Sequence, residues 1–224
     1  RRFWAVFLGV SLLSALAAFK LMFAYVPLLE VDIRFSRAEA VAATAEFQRQ
    51  QFPALATSRT AASFISDREL QNYVELEAGG VSAFKALIKN PDAALYYWRV
   101  RSFSENQEKE LRTAFSPSGK LLSYWLTVPD QEPGASLDEA AARAIAERGA
   151  RALLGERLDL YKPFDTKMKR QNTGRTDHTF TYEHSQLQIG EARFRLNILV
   201  VGDQLAGLDT DRHIPEAFNQ RFQE

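Results

Sequence analysis

Asp209, Asp211 and His213 alternate along "DTDRH", and alternate residues of a strand point to one face. Two carboxylates and an imidazole are ligand types for a divalent metal, and paired carboxylates are the parts of a hydrolase. Neighbours in this set stand about 7 Å apart on a straight strand, too far to surround one ion without a bulge. The spacing therefore names weak metal candidates on what is otherwise a solvated sheet face. His178 and His184 are separated by roughly 20 Å if they share a strand, so they share neither an ion nor a proton. Histidines so placed cap strands or pair with carboxylates.

Tyr96, Tyr97, Trp98, Tyr124 and Trp125 fall on predicted strands. Tyr96, Trp98, Tyr124 and Trp125 are candidates for a binding surface on which a peptide, a sugar or lipid headgroups would stack, although aromatics on strands also serve cross-strand packing. Lys167, Lys169, Arg170 and Arg175 form a basic segment, read as an exposed strand and loop near the membrane headgroups. No HExxH, GxSxG, phosphate-cradling glycine loop or EF-hand spacing is present. With no cysteine in the chain, disulfides, zinc–thiolate sites and cysteine nucleophiles are excluded. No catalytic or cofactor-binding residue is assigned, and no cofactor is expected.

The elements that position these side chains follow from hydropathy and punctuation. Residues 3–29 carry a single charge, Lys20. As a helix this stretch is roughly 40 Å long, against a hydrocarbon core of about 30 Å, so it is expected to be a transmembrane anchor held by membrane lipid, with Lys20 reaching an interface. Arg1 and Arg2 place the N-terminus in the cytoplasm and the remainder outside, periplasmic or extracellular. Ala15-Leu16-Ala17 also has the small-x-small pattern of a signal peptidase site, the alternative being a cleaved extracytoplasmic protein. Three of the 28 cations and none of the 28 anions lie in residues 1–29, which leaves the outer portion at a formal −3. Nothing in that balance draws it to nucleic acid.

"SRAEAVAATAEF" (36–47) and "SLDEAAARAIAE" (136–147) open alike. Each reads as a capping box, Ser36 with Glu39 and Ser136 with Glu139, starting an alanine-rich helix. Ala40, Ala43 and Phe47 mark the first apolar stripe; Leu137, Ala141, Ala144, Ile145 and Leu153 mark the second. Behind each helix the period changes. Strand-like runs cover 96–103, 109–117 and 120–129 in the first half, and 178–185, 191–201 and 204–215 in the second. In 191–201, Phe194, Leu196, Ile198 and Val200 share one face, and Arg193, Arg195 and Asn197 the other. A short helix is read in "VSAFKALIKN", and "PDQEPGAS" (129–136) marks the boundary between units.

The expected fold class is α+β: an anchor over 1–30, a first helix-on-antiparallel-sheet unit over 31–129, a second over 136–215, and a closing helix from 216 to 224. The chain does not begin with methionine and closes on an amphipathic run, which reads as a piece of a longer protein. Whether the two units share one sheet is left open.

The chain, through "ELQNYVELEAGG", "RTDHTFTYE", "EARFRLNILVVGDQLAGL" and "HIPEAF", resembles the N-terminal region of long bacterial proteins that continue into a CPBP-type (CAAX protease-like) intramembrane metalloprotease. The two units are similar to PepSY or cystatin-like modules. The working residues of that protease family are a glutamate pair and membrane-embedded histidines, and this chain has no adjacent glutamates and no histidine in its apolar segment. The resemblance thus implies a non-catalytic accessory domain for binding, gating or substrate presentation, with a C-terminal membrane domain of the same protein and a peptide or protein ligand as partners.

Overall fold

The structure, a computed structural model, describes residues 2–223. Helix α1 (Arg2–Tyr25) is exposed along its length and is the one helix among the described residues long and apolar enough to cross a membrane. Arg1, half of the expected orientation signal, lies outside the described residues, as does Glu224 at the other end. The helix stops four residues short of the expected limit at Leu29. Proline removes the next backbone donor and disfavours helical geometry in the residue before it, so Val26 is extended and Pro27–Glu30 form a 3-10 turn. Pro27 is buried, and Lys85 fixes the joint by donating to the Phe23 carbonyl at 2.6 Å and pairing with Glu30 at 2.8 Å.

Helix α2 (Arg37–Gln51) starts on the expected capping box: the Ser36 hydroxyl accepts from Glu39 N, and Glu39 Oε2 accepts from Ser36 N at 2.7 Å. Then come β1 (Arg59–Ser66), α3 (Arg68–Glu77), α4 (Gly80–Ile88), β2 (Tyr96–Phe103), β3 (Glu110–Phe115) and β4 (Leu121–Thr127). The second run is α5 (Glu139–Leu154), a 3-10 turn over Gly155–Leu160, β5 (Tyr161–Arg170), β6 (Thr176–Ile189), β7 (Ala192–Val201) and β8 (Gln204–His213), followed by α6 (Glu216–Gln223). β1 and α3 lie where no element was expected.

The second capping box does not form. Asp138, not Ser136, caps α5, accepting from Ala141 N at 2.8 Å, while the Ser136 hydroxyl bonds Thr176 Oγ1 at 2.7 Å. The nearer carboxylate reaches the first turn's open donors, so the helix begins two residues later than a Ser136 cap would set it. The buried stripe moves with it, to Ala142, Ala146 and Ala150. These small side chains let α5 lie close on β6, β7 and β8.

All eight strands form one antiparallel sheet in the order β1-β2-β3-β4-β8-β7-β6-β5. The two meanders join through a short β4–β8 pairing, Tyr124 opposite Leu208 and Trp125 opposite Gly207. One face carries the core: Val100, Tyr124, Leu126, Leu208, Ile198 and Phe180 lie under α2 and α5, and Tyr96 and Phe194 lie with residues of α3, α4 and α6. The expected alternation of β7 is observed, with Phe194, Leu196, Ile198 and Val200 buried. The segment between the halves is not a free linker. Arg175, expected in an exposed basic loop, is only 1% exposed and donates to the Pro129 and Glu132 carbonyls at 3.1 and 2.6 Å while pairing with Asp177. Half-buried linker carbonyls outside the strand ladder draw the guanidinium inward.

Candidate functional site

Among the described residues, no element covers the face of the sheet opposite the helices, and that face is curved. Tyr97 and Arg99 of β2, Arg112 of β3, Trp125 of β4, Asp209 of β8, Asn197 of β7, Thr181 of β6 and Lys167 of β5 line a single cleft of about 630 Å³. In a flat sheet β2 and β5 in this order would stand about 29 Å apart, so side chains from both reach one cleft only if the sheet coils toward this face. Register shifts at Ala114/Phe115, Pro163/Asp165, Glu183/Gln188 and Leu199/Val200 supply local bends.

Trp125 marks the join of the two meanders. It lies over Gly207, whose missing side chain gives the indole its bed: a Cβ there would stand 2.5 Å from Trp125 Cε3. On the far side of the indole a second hollow of about 250 Å³ continues, sharing Trp125, Lys167 and Thr179 with the first and reaching Lys169 and Asp130. The two form one trough along the open face.

The polar groups of the trough are mostly donors. Thr181 Oγ1 donates to Asn197 Oδ1 at 2.7 Å, which leaves the Asn197 amide NH2 available. Arg99 spends one N–H on the Tyr97 hydroxyl at 2.8 Å. Among the described residues, the Trp125 indole N–H and the Lys167 ammonium have no hydrogen-bond acceptor in the protein, and neither Arg99 nor Lys167 forms an ion pair. Arg112 is engaged with Glu110, whose carboxyl stays below its ordinary range because Arg101 and Arg112 outweigh its burial. Arg212, at the rim, donates to the Ala93 and Ala94 carbonyls. Among the described residues, Asp209 is the carboxylate that lines this first cleft. Its pKa is raised by desolvation, against the pull of the Ser123 hydroxyl and of Arg212 and Arg99. The residue is nonetheless exposed to solvent, so the walls of the cleft ring it rather than seal it and the rise is modest.

The sequence-derived candidates separate. Asp209, Asp211 and His213 share the open face as expected, but they lie opposite Asn197, Arg195 and Arg193 one by one. Among the described residues no group of three or more His, Asp or Glu side chains is gathered to hold a metal ion. Tyr96, Trp98, Tyr124 and Trp125 do not make one surface. Tyr96 packs with α3 and α4, Tyr124 against Phe47 and Phe52, and Trp98 donates to the Phe35 carbonyl at 2.7 Å, all on the helix side; only Trp125 faces the trough. Adjacent residues of a strand point to opposite faces, so Tyr124 and Trp125 could never serve one surface. His178 and His184 are buried under the helices. His178 Nε2 meets the Leu137 carbonyl at 3.0 Å, and His184 Nδ1 accepts from Gln186 N and Leu187 N. Of the basic segment, Lys167 enters the trough, Lys169 pairs with Asp130 at 2.6 Å, and Arg175 is in the core.

Arg99, Asn197 and Thr181 were not singled out from sequence. The available signal was the polar face of β7, which marks the uncovered side of the sheet. No protein-family model, curated protein or solved structure matches the chain.

Proposed function

We propose that this chain is a membrane-tethered, extracytoplasmic binding domain whose ligand surface is the open face of the sheet, with the helices of the other face as scaffold. The observation that carries the reading is the donor-rich trough built across both meanders at their join. α1 supports the tether, by length and apolarity. Arg2 at its start supports an orientation with the domain outside. No step of chemistry is assigned to Asp209 or Asp211; the domain acts by holding its ligand.

We further read the domain as two repeated PepSY- or cystatin-like units. Each run is a helix followed by four antiparallel strands, the first with α3 and α4 inserted between its first two strands, and Tyr124 and Leu208, each five residues past its hairpin turn at Gly119 and Asp203, pair with one another. A two-fold axis normal to the sheet would produce that antiparallel pairing. A gating or substrate-presenting role beside a CPBP-type membrane domain of the same protein has its own support. The end of α1 is fixed to α4 by Lys85, and α6 packs on α3 through Asn219–Glu69 and Arg221–Glu77, so both ends of the domain attach to one helical layer.

Photocrosslinking in native membranes tests the binding surface. A benzophenone side chain at Thr181, in the trough, is expected to give a discrete adduct that the same group at Gln50, on the outside of α2, does not. Equal labelling from both positions would count against the open face.

A further inference from the structure

Within the binding reading above, on which this inference rests, the trough has a definite chemistry. Its unspent donors are the Arg99 guanidinium, the Lys167 ammonium, the Asn197 amide and the Trp125 indole N–H; against the single Asp209 carboxylate of the first hollow, the two free cations leave the balance toward donors and positive charge. The matching ligand is rich in acceptors and negative. Its shape is set by the two hollows on either side of Trp125, which share that indole as a common wall, and by the second cation at the far end, Lys169, held only by exposed Asp130. A small anion would occupy one cation and leave the rest of the trough wet. A chain that advances about 3.3 Å per residue can set acidic side chains on Arg99 and Lys167 in turn while its backbone crosses the indole.

We propose that the trough binds an acidic peptide segment in extended form, with Arg99 and Lys167 as the charge anchors and Trp125 as the surface its backbone crosses. The sheet framework fixes the spacing of the strands that carry both cations, and Tyr97 holds the Arg99 guanidinium, so the trough selects for charge and for a rough spacing. Ion pairs formed in this open cleft are screened by salt, and binding should weaken as salt rises.

The test is fluorescence anisotropy of labelled hexaglutamate, hexaglutamine and hexalysine with the full chain in neutral-lipid nanodiscs. The expected result is saturable binding of hexaglutamate alone, reduced on going from ~50 to ~500 mM salt. Arg99→Gln and Lys167→Gln should each weaken it about fivefold, whereas Arg49→Gln, on the exposed side of α2, should leave it unchanged. Charge reversal guards against a merely misfolded variant: Arg99→Glu with Lys167→Glu should lose hexaglutamate and gain hexalysine. Equal affinity for hexaglutamine, or equal loss with Arg49→Gln, would overturn the proposal. Binding of hexaglutamine that disappears in Trp125→Ala would leave the open face standing as a binding surface and remove its acidic preference. No binding of any peptide would overturn the acidic-peptide assignment, with the crosslinking at Thr181 then judging the surface by itself.

Discussion

The indole of Trp125 lies on Gly207, its partner in the short β4–β8 pairing that joins the two halves of the sheet. A tryptophan on the open face and a glycine opposite it are one feature. The glycine makes room, and the indole then divides the trough into its two hollows. Gly207→Ala should therefore disturb the site and the fold together. Its methyl meets a rigid ring rather than a flexible chain end, and overpacking of this kind costs about 1–3 kcal/mol. Urea unfolding of the full chain should show that loss, together with altered Trp125 emission; unchanged stability would mean that the indole has another place to go.

Arg175 with Asp177 is the counterpart on the structural side. The guanidinium makes two contacts to that carboxylate, at 2.8 and 3.0 Å, and holds two linker carbonyls. Arg175→Met should cost about 3–5 kcal/mol, because it leaves the largely buried Asp177 carboxylate without its counter-charge and removes a charged donor from two linker carbonyls. Arg170→Met, at an exposed neighbour in the same basic segment, should stay within about 0.5 kcal/mol. Comparable losses in the two variants would contradict the clamp.

Protonation bears on stability through His184. Its pKa is lowered from the ordinary 6.5 by burial first and by Arg157 second. Below that value the unfolded chain takes up a proton that the folded chain refuses, so this contribution is complete above pH ~6.5 and is lost as pH falls toward the folded-state value. The His184→Gln variant should show a shallower loss of stability than the parent between pH ~7 and ~5. Parallel profiles would show that His184 is not the group responsible.

Asp209 makes the opposite prediction for the ligand. Its raised pKa means that acidification discharges this carboxylate of the first hollow at a higher pH than an ordinary aspartate would. At neutral pH, where hexaglutamate is fully charged, Asp209→Asn should bind it more tightly than the parent; the gap should narrow as pH falls and Asp209 discharges, while both lose affinity as the ligand's own carboxylates take up protons. Weaker binding in Asp209→Asn would show that the carboxylate accepts a hydrogen bond from the ligand.

Much of the scaffold was readable from residues close together in sequence. The Ser36–Glu39 cap, the alternation of β7 and the six predicted strands depend on local period, and they stand where the pattern put them. α3 was readable and overlooked: Asp67 caps it, and Leu70, Tyr73 and Val74 recur at helical spacing. β1 gave little signal, since "RTAAS" has neither strong alternation nor many β-branched residues, and β2 dictates its extension by pairing along all eight of its residues. The Ser136 box misled because Asp138 competes for the same donors. Arg175 could not be placed from sequence, as its carbonyl partners are more than 40 residues away. The trough was equally hidden. Arg99 and Lys167 meet only through a strand order and bulges that no short segment encodes.

The cap on α5 gives a residue-level check of that correction. Asp138→Ala should open the Ala141 amide to hydrogen exchange and cost about 1 kcal/mol, while Ser136→Ala should leave that amide protected. Exchange at Ala141 that responds to Ser136 instead would make Ser136 the cap.

Hydroxyl-radical footprinting of the full chain, with and without hexaglutamate, addresses the open face most directly. Tyr97 and Trp125 report from the trough, and exposed Leu76 and Phe222 report from the helical layer on the other side. Loss of reactivity at Tyr97 and Trp125, with Leu76 and Phe222 unchanged, is the predicted result. Protection at Leu76 or Phe222 with the trough still reactive would contradict it.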